Sequence, residues 1–161
     1  MREKKFTITI CGSVAFAREM LEAEKELLQT GFLVNVPRGI ETFLPEKRRS
    51  KLLNNWGQAE GAERKIRYNL IKDYYEKIKR SEAILVINET KKGISGYIGG
   101  NTFLEMGFAH VLGKKIYCLN PLPKELGVFY QELLAFQPTI LNGDLGGIRA
   151  CPHRCVGMLV W

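Results

Sequence analysis

The sequence predicts a three-layer α/β domain built on a mostly parallel central sheet of about five strands. Three observations carry this. Short β-branched and apolar runs alternate along the chain with segments of helical period, the hallmark of strand–helix–strand units. Turn residues such as Gly12-Ser13, Gly31 and Gly113 sit at most junctions. With 161 residues, 45% of them hydrophobic, the chain can bury roughly 70% of its unfolded surface in one core.

Residues Phe6 to Cys11 alternate β-branched and apolar side chains and predict the first strand. After Gly12-Ser13, the apolar positions Val14, Ala17, Met20, Leu21, Leu27 and Leu28 recur at helical spacing, and Gly31 supplies a C-cap. Residues Phe32 to Val36 predict a second strand, stopped by Pro37. From Arg38 to Gly61 the pattern dissolves into a polar, basic stretch with Pro45, Lys47-Arg48-Arg49 and Trp56, the profile of a lid or binding loop.

Helical spacing returns at Ile66, Leu70, Ile71, Tyr74, Tyr75 and Ile78 and leads into Ala83 to Ile87, a continuous apolar run expected of a central strand covered on both faces. A Gly-, Lys- and Ser-rich connection, Asn88 to Asn101, precedes a helix over Thr102 to Leu112. A strand over Lys115 to Leu119, a helix within Lys124 to Phe136 and an edge strand Thr139 to Leu141 complete the sheet. Strands alternating with helices through short turns then give a flavodoxin/Rossmann-like arrangement in one domain, residues 1–144. Residues 145–161 carry no usable period and form a tail without predicted structure.

The bulk properties exclude several classes of function. No apolar run reaches the roughly 18–20 residues of a membrane span, and Met1 to Lys5 lead into an alternating stretch and not a signal segment, so a cytoplasmic protein with no membrane partner is expected. Cys11 and Cys118 lie in strand-like runs and Cys151 and Cys155 in the tail around His153, which predicts free thiols, with no disulfide framework, no metal site and no cofactor. The formal charge is +7, and residues 38–80 hold 12 Lys/Arg against 6 Asp/Glu. Interleaved acids and the lack of stacking aromatics disfavour nucleic acid and leave an anionic small molecule.

In an open parallel sheet, ligands bind beyond the carboxyl ends of the strands. Gly12 and Ser13 after the first strand meet that condition, as does the connection after the central strand, where Gly99, Gly100, Asn101 and Thr102 open a helix whose N-terminus favours phosphate, carboxylate or hydroxyl groups. Tyr97 in that connection is a candidate to stack on a ligand ring, whereas Tyr117 belongs to the core. Glu105 has two readings. Thr102-x-x-Glu105 fits a capping box, and a carboxylate beside the glycine turn also faces the ligand crevice as a nucleophile or base. His110 falls about 140° round the helix from Glu105 and is not expected to share the site.

Ile8-Thr9-Ile10-Cys11-Gly12-Ser13, Ser81 to Ile87, and Gly100-Asn101-Thr102-Phe103-Leu104-Glu105-Met106-Gly107-Phe108-Ala109 with Gly113-Lys114-Lys115-Ile116 together resemble the nucleoside 2-deoxyribosyltransferase family, over about residues 6–120. The resemblance extends to nucleoside monophosphate N-glycosidases. Gly99 to Glu105 is also similar to the Gly-Gly-x-Gly-Thr-x-x-Glu turn of cytokinin-activating phosphoribohydrolases, one residue shorter.

The resemblance implies that Glu105 attacks the anomeric carbon of a nucleoside or nucleoside monophosphate, with Gly12 and Ser13 lining the sugar or phosphate side. It also implies a homodimer or larger homo-oligomer. Basic residues Lys47-Arg48-Arg49, Lys51 and Lys91-Lys92 would suit a 5′-phosphate. The family carries an aspartate six residues before its nucleophile, where this chain has Gly99, and an acid on the second helix, where Tyr74 aligns and Asp73 stands one position away. The alternative is a nucleotide-binding or sensing module that kept the fold without turnover.

Overall fold

The computed structural model describes residues 5–44, 65–66 and 68–149. Five strands, β1 (Thr7–Gly12), β2 (Leu33–Asn35), β3 (Ala83–Ile87), β4 (Lys115–Cys118) and β5 (Thr139–Ile140), form one sheet in the order β2-β1-β3-β4-β5, parallel at every pairing. Helix α1 (Ala17–Gln29) follows β1, α2 (Leu70–Arg80) precedes β3, α3 (Gly100–Val111) joins β3 to β4, and α4 (Val128–Ala135) precedes β5. The three-layer α/β, Rossmann-like architecture expected from the sequence is thus observed. Among the described residues, no helix is long and apolar enough to cross a membrane.

Strand alternation divides the core in two. Ile8 and Ile10 of β1 with Ala83, Leu85 and Ile87 of β3 face the side covered by α1, whose stripe Ala17, Met20, Ala23 and Leu27 is buried at helical spacing. Cys11, Ile84 and Val86 point the other way, toward Tyr74 and Ile78 of α2, Met106 and Ala109 of α3, and Leu133 of α4. Every residue of β3 is buried, because both of its faces are covered.

Several local expectations shift. β2 is three residues long. The polar stretch after Pro37 contains a 3₁₀ turn, Ile40–Phe43, entered through Gly39 at φ 69°, which plants Ile40 in the α1-side core. The helix expected within 124–136 is split at Gly127 into a 3₁₀ turn, Lys124–Leu126, and α4. Beyond residue 144, Asp144 caps a short turn, Leu145–Gly147, and both Leu145 and Ile148 pack into the core. Pro45, Lys47-Arg48-Arg49, Lys51 and Trp56 of the basic stretch, and Cys151, His153 and Cys155 of the tail, lie outside the described residues.

Candidate functional site

The strand order reverses between β1 and β3, so the connections leaving their carboxyl ends run in opposite directions and leave a crevice between them. A cavity of about 410 Å³ occupies this crevice, within the range of small-molecule sites. Gly12 and Ser13 supply one wall, Lys91 another, Asn101, Leu104, Glu105 and Phe108 of α3 a third, and Asp73 and Tyr74 of α2 with Arg38 and Lys65 a fourth, with apolar side chains such as Val14, Phe43 and Ile71 between them.

Gly12 ends β1 where a side chain has no room. A Cβ there would meet the Ile87 carbonyl oxygen at 2.7 Å and the Met20 side chain at the same distance. The close approach of β1 to β3 at the cavity floor therefore requires glycine. Ser13 follows and caps a 3₁₀ turn through Ala15 N–H, and its Oγ also accepts from Lys91 Nζ at 2.8 Å.

Lys91 is propped from below by the Tyr97 ring, with Nζ 5.2 Å from the ring centroid. The Tyr97 ring in turn packs against Gly99. The loop holding Lys91 is tied down by Asn88, whose side chain bonds the Asn120 backbone in both directions and reaches the carbonyls of Gly96 and Pro121. Gly96, at φ +67°, lies so close to Pro121 that an added Cβ would fall 2.2 Å from its carbonyl oxygen.

Helix α3 begins earlier than the sequence suggested. Gly99, in extended conformation, is the N-cap, and its carbonyl accepts from Phe103 N–H at 2.9 Å. Thr102 is consequently the third helical residue, is buried at 2% exposure and does not cap the helix. The capping box requires Thr102 at the N-cap, so Glu105 is not engaged in one. Its carboxylate belongs to the cavity wall instead.

Glu105 Oε2 is shut off from solvent and has no hydrogen-bond partner among the described residues. Burial pushes the carboxyl up to about 8, against smaller opposing pulls from the Cys11 thiol and the Lys65 ammonium. Cys11 and Tyr74, both buried, are pushed well up by burial themselves and stay protonated. The Tyr74 hydroxyl donates to the Ile10 carbonyl.

The other carboxylate in the cavity wall, Asp73, is held by Arg38 Nη2 at 3.1 Å and Lys77 Nζ at 3.3 Å. Lys65 Nζ donates to Asn101 Oδ1 at 2.9 Å. Three cationic side chains, Arg38, Lys65 and Lys91, thus line the same cavity as Glu105. Among the described residues no cluster of three or more His, Cys, Asp and Glu side chains is placed to hold a metal ion.

Of the residues singled out from sequence, Gly12, Ser13, Asp73, Lys91, Asn101 and Glu105 share this cavity. Gly99, Gly100, Thr102 and Tyr97 are not in its wall: the glycines start the helix, Thr102 packs inward and Tyr97 supports Lys91. His110 packs on Phe136, away from the cavity. Sequence reasoning gave no role to Arg38, Lys65 or Tyr74. Only Tyr74 carried a usable signal, because it shares the buried stripe of α2 with Ile78 one turn on. No family model and no curated protein matches this sequence.

Proposed function

We propose that this chain is an N-glycosidic-bond enzyme acting on a nucleoside or nucleoside monophosphate, with Glu105 as its nucleophile. One observation carries the reading: a buried carboxylate oxygen without a partner, in the wall of a cavity at the sheet's switch point. A structural carboxylate would be paired, since an unpaired buried polar group costs about 1–3 kcal/mol. Local backbone demands do not explain it either, because no capping box forms.

In this reading the ionised Glu105 attacks the anomeric carbon. A carbon–oxygen bond forms, the glycosidic carbon–nitrogen bond breaks, and its electron pair leaves with the base, which takes a proton from water. A water molecule then attacks the same carbon, the ester bond to Glu105 breaks, and the carboxylate is regenerated as the water proton departs to solvent. A second base in place of water gives transfer. The double displacement follows the logic of retaining glycosidases. Burial makes the carboxylate more basic and hence a stronger nucleophile once ionised. Lys91 and Ser13, 2.8 Å apart, supply donors for a phosphate or sugar hydroxyl.

A second reading has its own observation. Among the described residues of the cavity wall, the remaining carboxylate is bound in two ion pairs and Tyr74 gives its proton to a backbone carbonyl, so neither Asp73 nor Tyr74 is free to protonate a leaving base. This favours a nucleotide-binding or sensing module without turnover.

Incubation with a panel of nucleosides and nucleoside monophosphates, assayed for free base, separates the two. Base release that is lost in a folded Glu105→Ala variant supports the enzyme, and tight binding without release of any base supports the module. We further propose a cytoplasmic location, expected from the sequence's lack of a membrane span or signal segment, and the homodimer or larger homo-oligomer that the resemblance implies, to be checked by cell fractionation and light scattering.

A further inference from the structure

Arg38 leaves the carboxyl end of β2 on a connection with a fixed stem. Pro37 precedes it, Gly39 follows in left-handed conformation, and the Ile40 N–H donates to the Pro37 carbonyl at 3.1 Å while the Ile40 side chain is sunk in the core. The 3₁₀ turn formed there touches the one that follows Ser13. Arg38 therefore belongs to the connection next to the Ser13–Lys91 pair, and all three residues line one cavity.

The guanidinium is less fixed than its stem. The side chain is 59% exposed, and it meets Asp73 through one contact, Nη2 to Oδ1 at 3.1 Å, without the paired fork of a strong arginine–carboxylate bond. Asp73 does not depend on that contact. Its other oxygen, Oδ2, holds Lys77 Nζ at 3.3 Å, and this ammonium is anchored further by the Val36 carbonyl at 3.3 Å and by the Tyr74 ring, 5.3 Å from its centroid. When Arg38 turns away, Asp73 keeps a cation.

We infer that Arg38 is a specificity-determining residue for the anionic group of the ligand, and that Asp73 competes with that group for its guanidinium. An exposed ion pair is a weak hold. A phosphate monoester brings nearly two charges and three acceptor oxygens, which match the planar fork of arginine. A hydroxyl brings neither and does not repay the loss of Asp73. The competition thus sets a threshold that a phosphate crosses and a neutral sugar does not.

That the anion is the phosphate of a nucleotide rests on the proposed function, whereas the competition for Arg38 does not. The test uses ribose 5-phosphate and 2-deoxyribose 5-phosphate, which any nucleotide contains whatever its base, with the two free sugars as neutral probes. Affinities are measured by calorimetry on the full chain for wild type, Arg38→Ala, Asp73→Asn and the double variant. Arg38→Ala should weaken the sugar phosphates roughly tenfold or more and leave the free sugars unchanged. Asp73→Asn should tighten the sugar phosphates about two- to fivefold, by releasing Arg38. In the double variant that gain should vanish. An Asp73→Asn gain that persists without Arg38 would be a general effect of removing a negative charge and would overturn the hand-over, as would weaker binding in Asp73→Asn or no binding of either sugar phosphate to wild type. Should Asp73→Asn fail to fold, an unchanged affinity in Arg38→Ala overturns it alone. The full pattern in a protein that releases no base from any nucleotide would sustain the role of Arg38 while refuting the enzyme.

Discussion

Replacing Glu105 by Gln should make the protein more stable at high pH and change it little at low pH. The folded protein holds the Glu105 proton up to about pH 8, whereas a glutamate in an unfolded chain titrates at its ordinary 4.5. Between those values the native state binds more protons than the unfolded one, so this group's contribution falls as pH rises through that window. At 1.36 kcal/mol per unit, ionising Glu105 costs the wild type about 4 kcal/mol between about pH 5 and about pH 9. Water drawn into the cavity around the ion brings the expectation to about 2–4 kcal/mol. Gln has nearly the same shape and no such cost. Urea unfolding of both proteins near each pH reads the difference directly. A gap between variant and wild type that is the same at both pH values would refute the placement of Glu105 in a desolvated wall.

If Glu105 is the nucleophile, kcat/KM for base release should rise about tenfold per pH unit and level off above about 8. A profile that falls through the same region would make Glu105 a proton donor instead. Lys91→Met should raise KM for a nucleoside monophosphate roughly tenfold or more and leave the neutral nucleoside unaffected, because it removes a charged donor at Ser13. Equal effects on both substrates would contradict a phosphate at that end. Gly96→Ala should cost about 2–4 kcal/mol in urea unfolding, since its Cβ would fall 2.2 Å from the Pro121 carbonyl oxygen in a left-handed backbone. A wild-type midpoint would show that the two loops are not clasped.

The sheet was readable because its strands differ sharply in pattern. β1 alternates, β3 is apolar throughout, and α1 carries a buried residue at every third or fourth position. Ile40 was not readable, since one apolar residue in a polar stretch has no period, and only the turn at Gly39 aims it inward. Leu145 and Ile148 are three residues apart on a single 3₁₀ turn, too short to register as a helix.

The site divides the same way. Gly12, Ser13 and Glu105 announce themselves by turn chemistry and helix position, whereas Lys91 reaches Ser13 across 78 residues of sequence, a contact that only the β1–β3 pairing creates. On α2, Tyr74 and Ile78 set the buried phase, which brings the phenol and not the Asp73 carboxylate to Cys11 and Glu105. The capping box was a sound local pattern overridden by Gly99 and Gly100, which let α3 begin one turn sooner.

The most direct test is to quench the protein during turnover of a nucleoside monophosphate and measure the mass of the intact chain and its peptides. A glycosyl adduct on the peptide bearing Glu105, absent from Glu105→Gln, is the predicted result. Base release with no adduct, undiminished in the variant, would contradict the assignment of Glu105 as nucleophile.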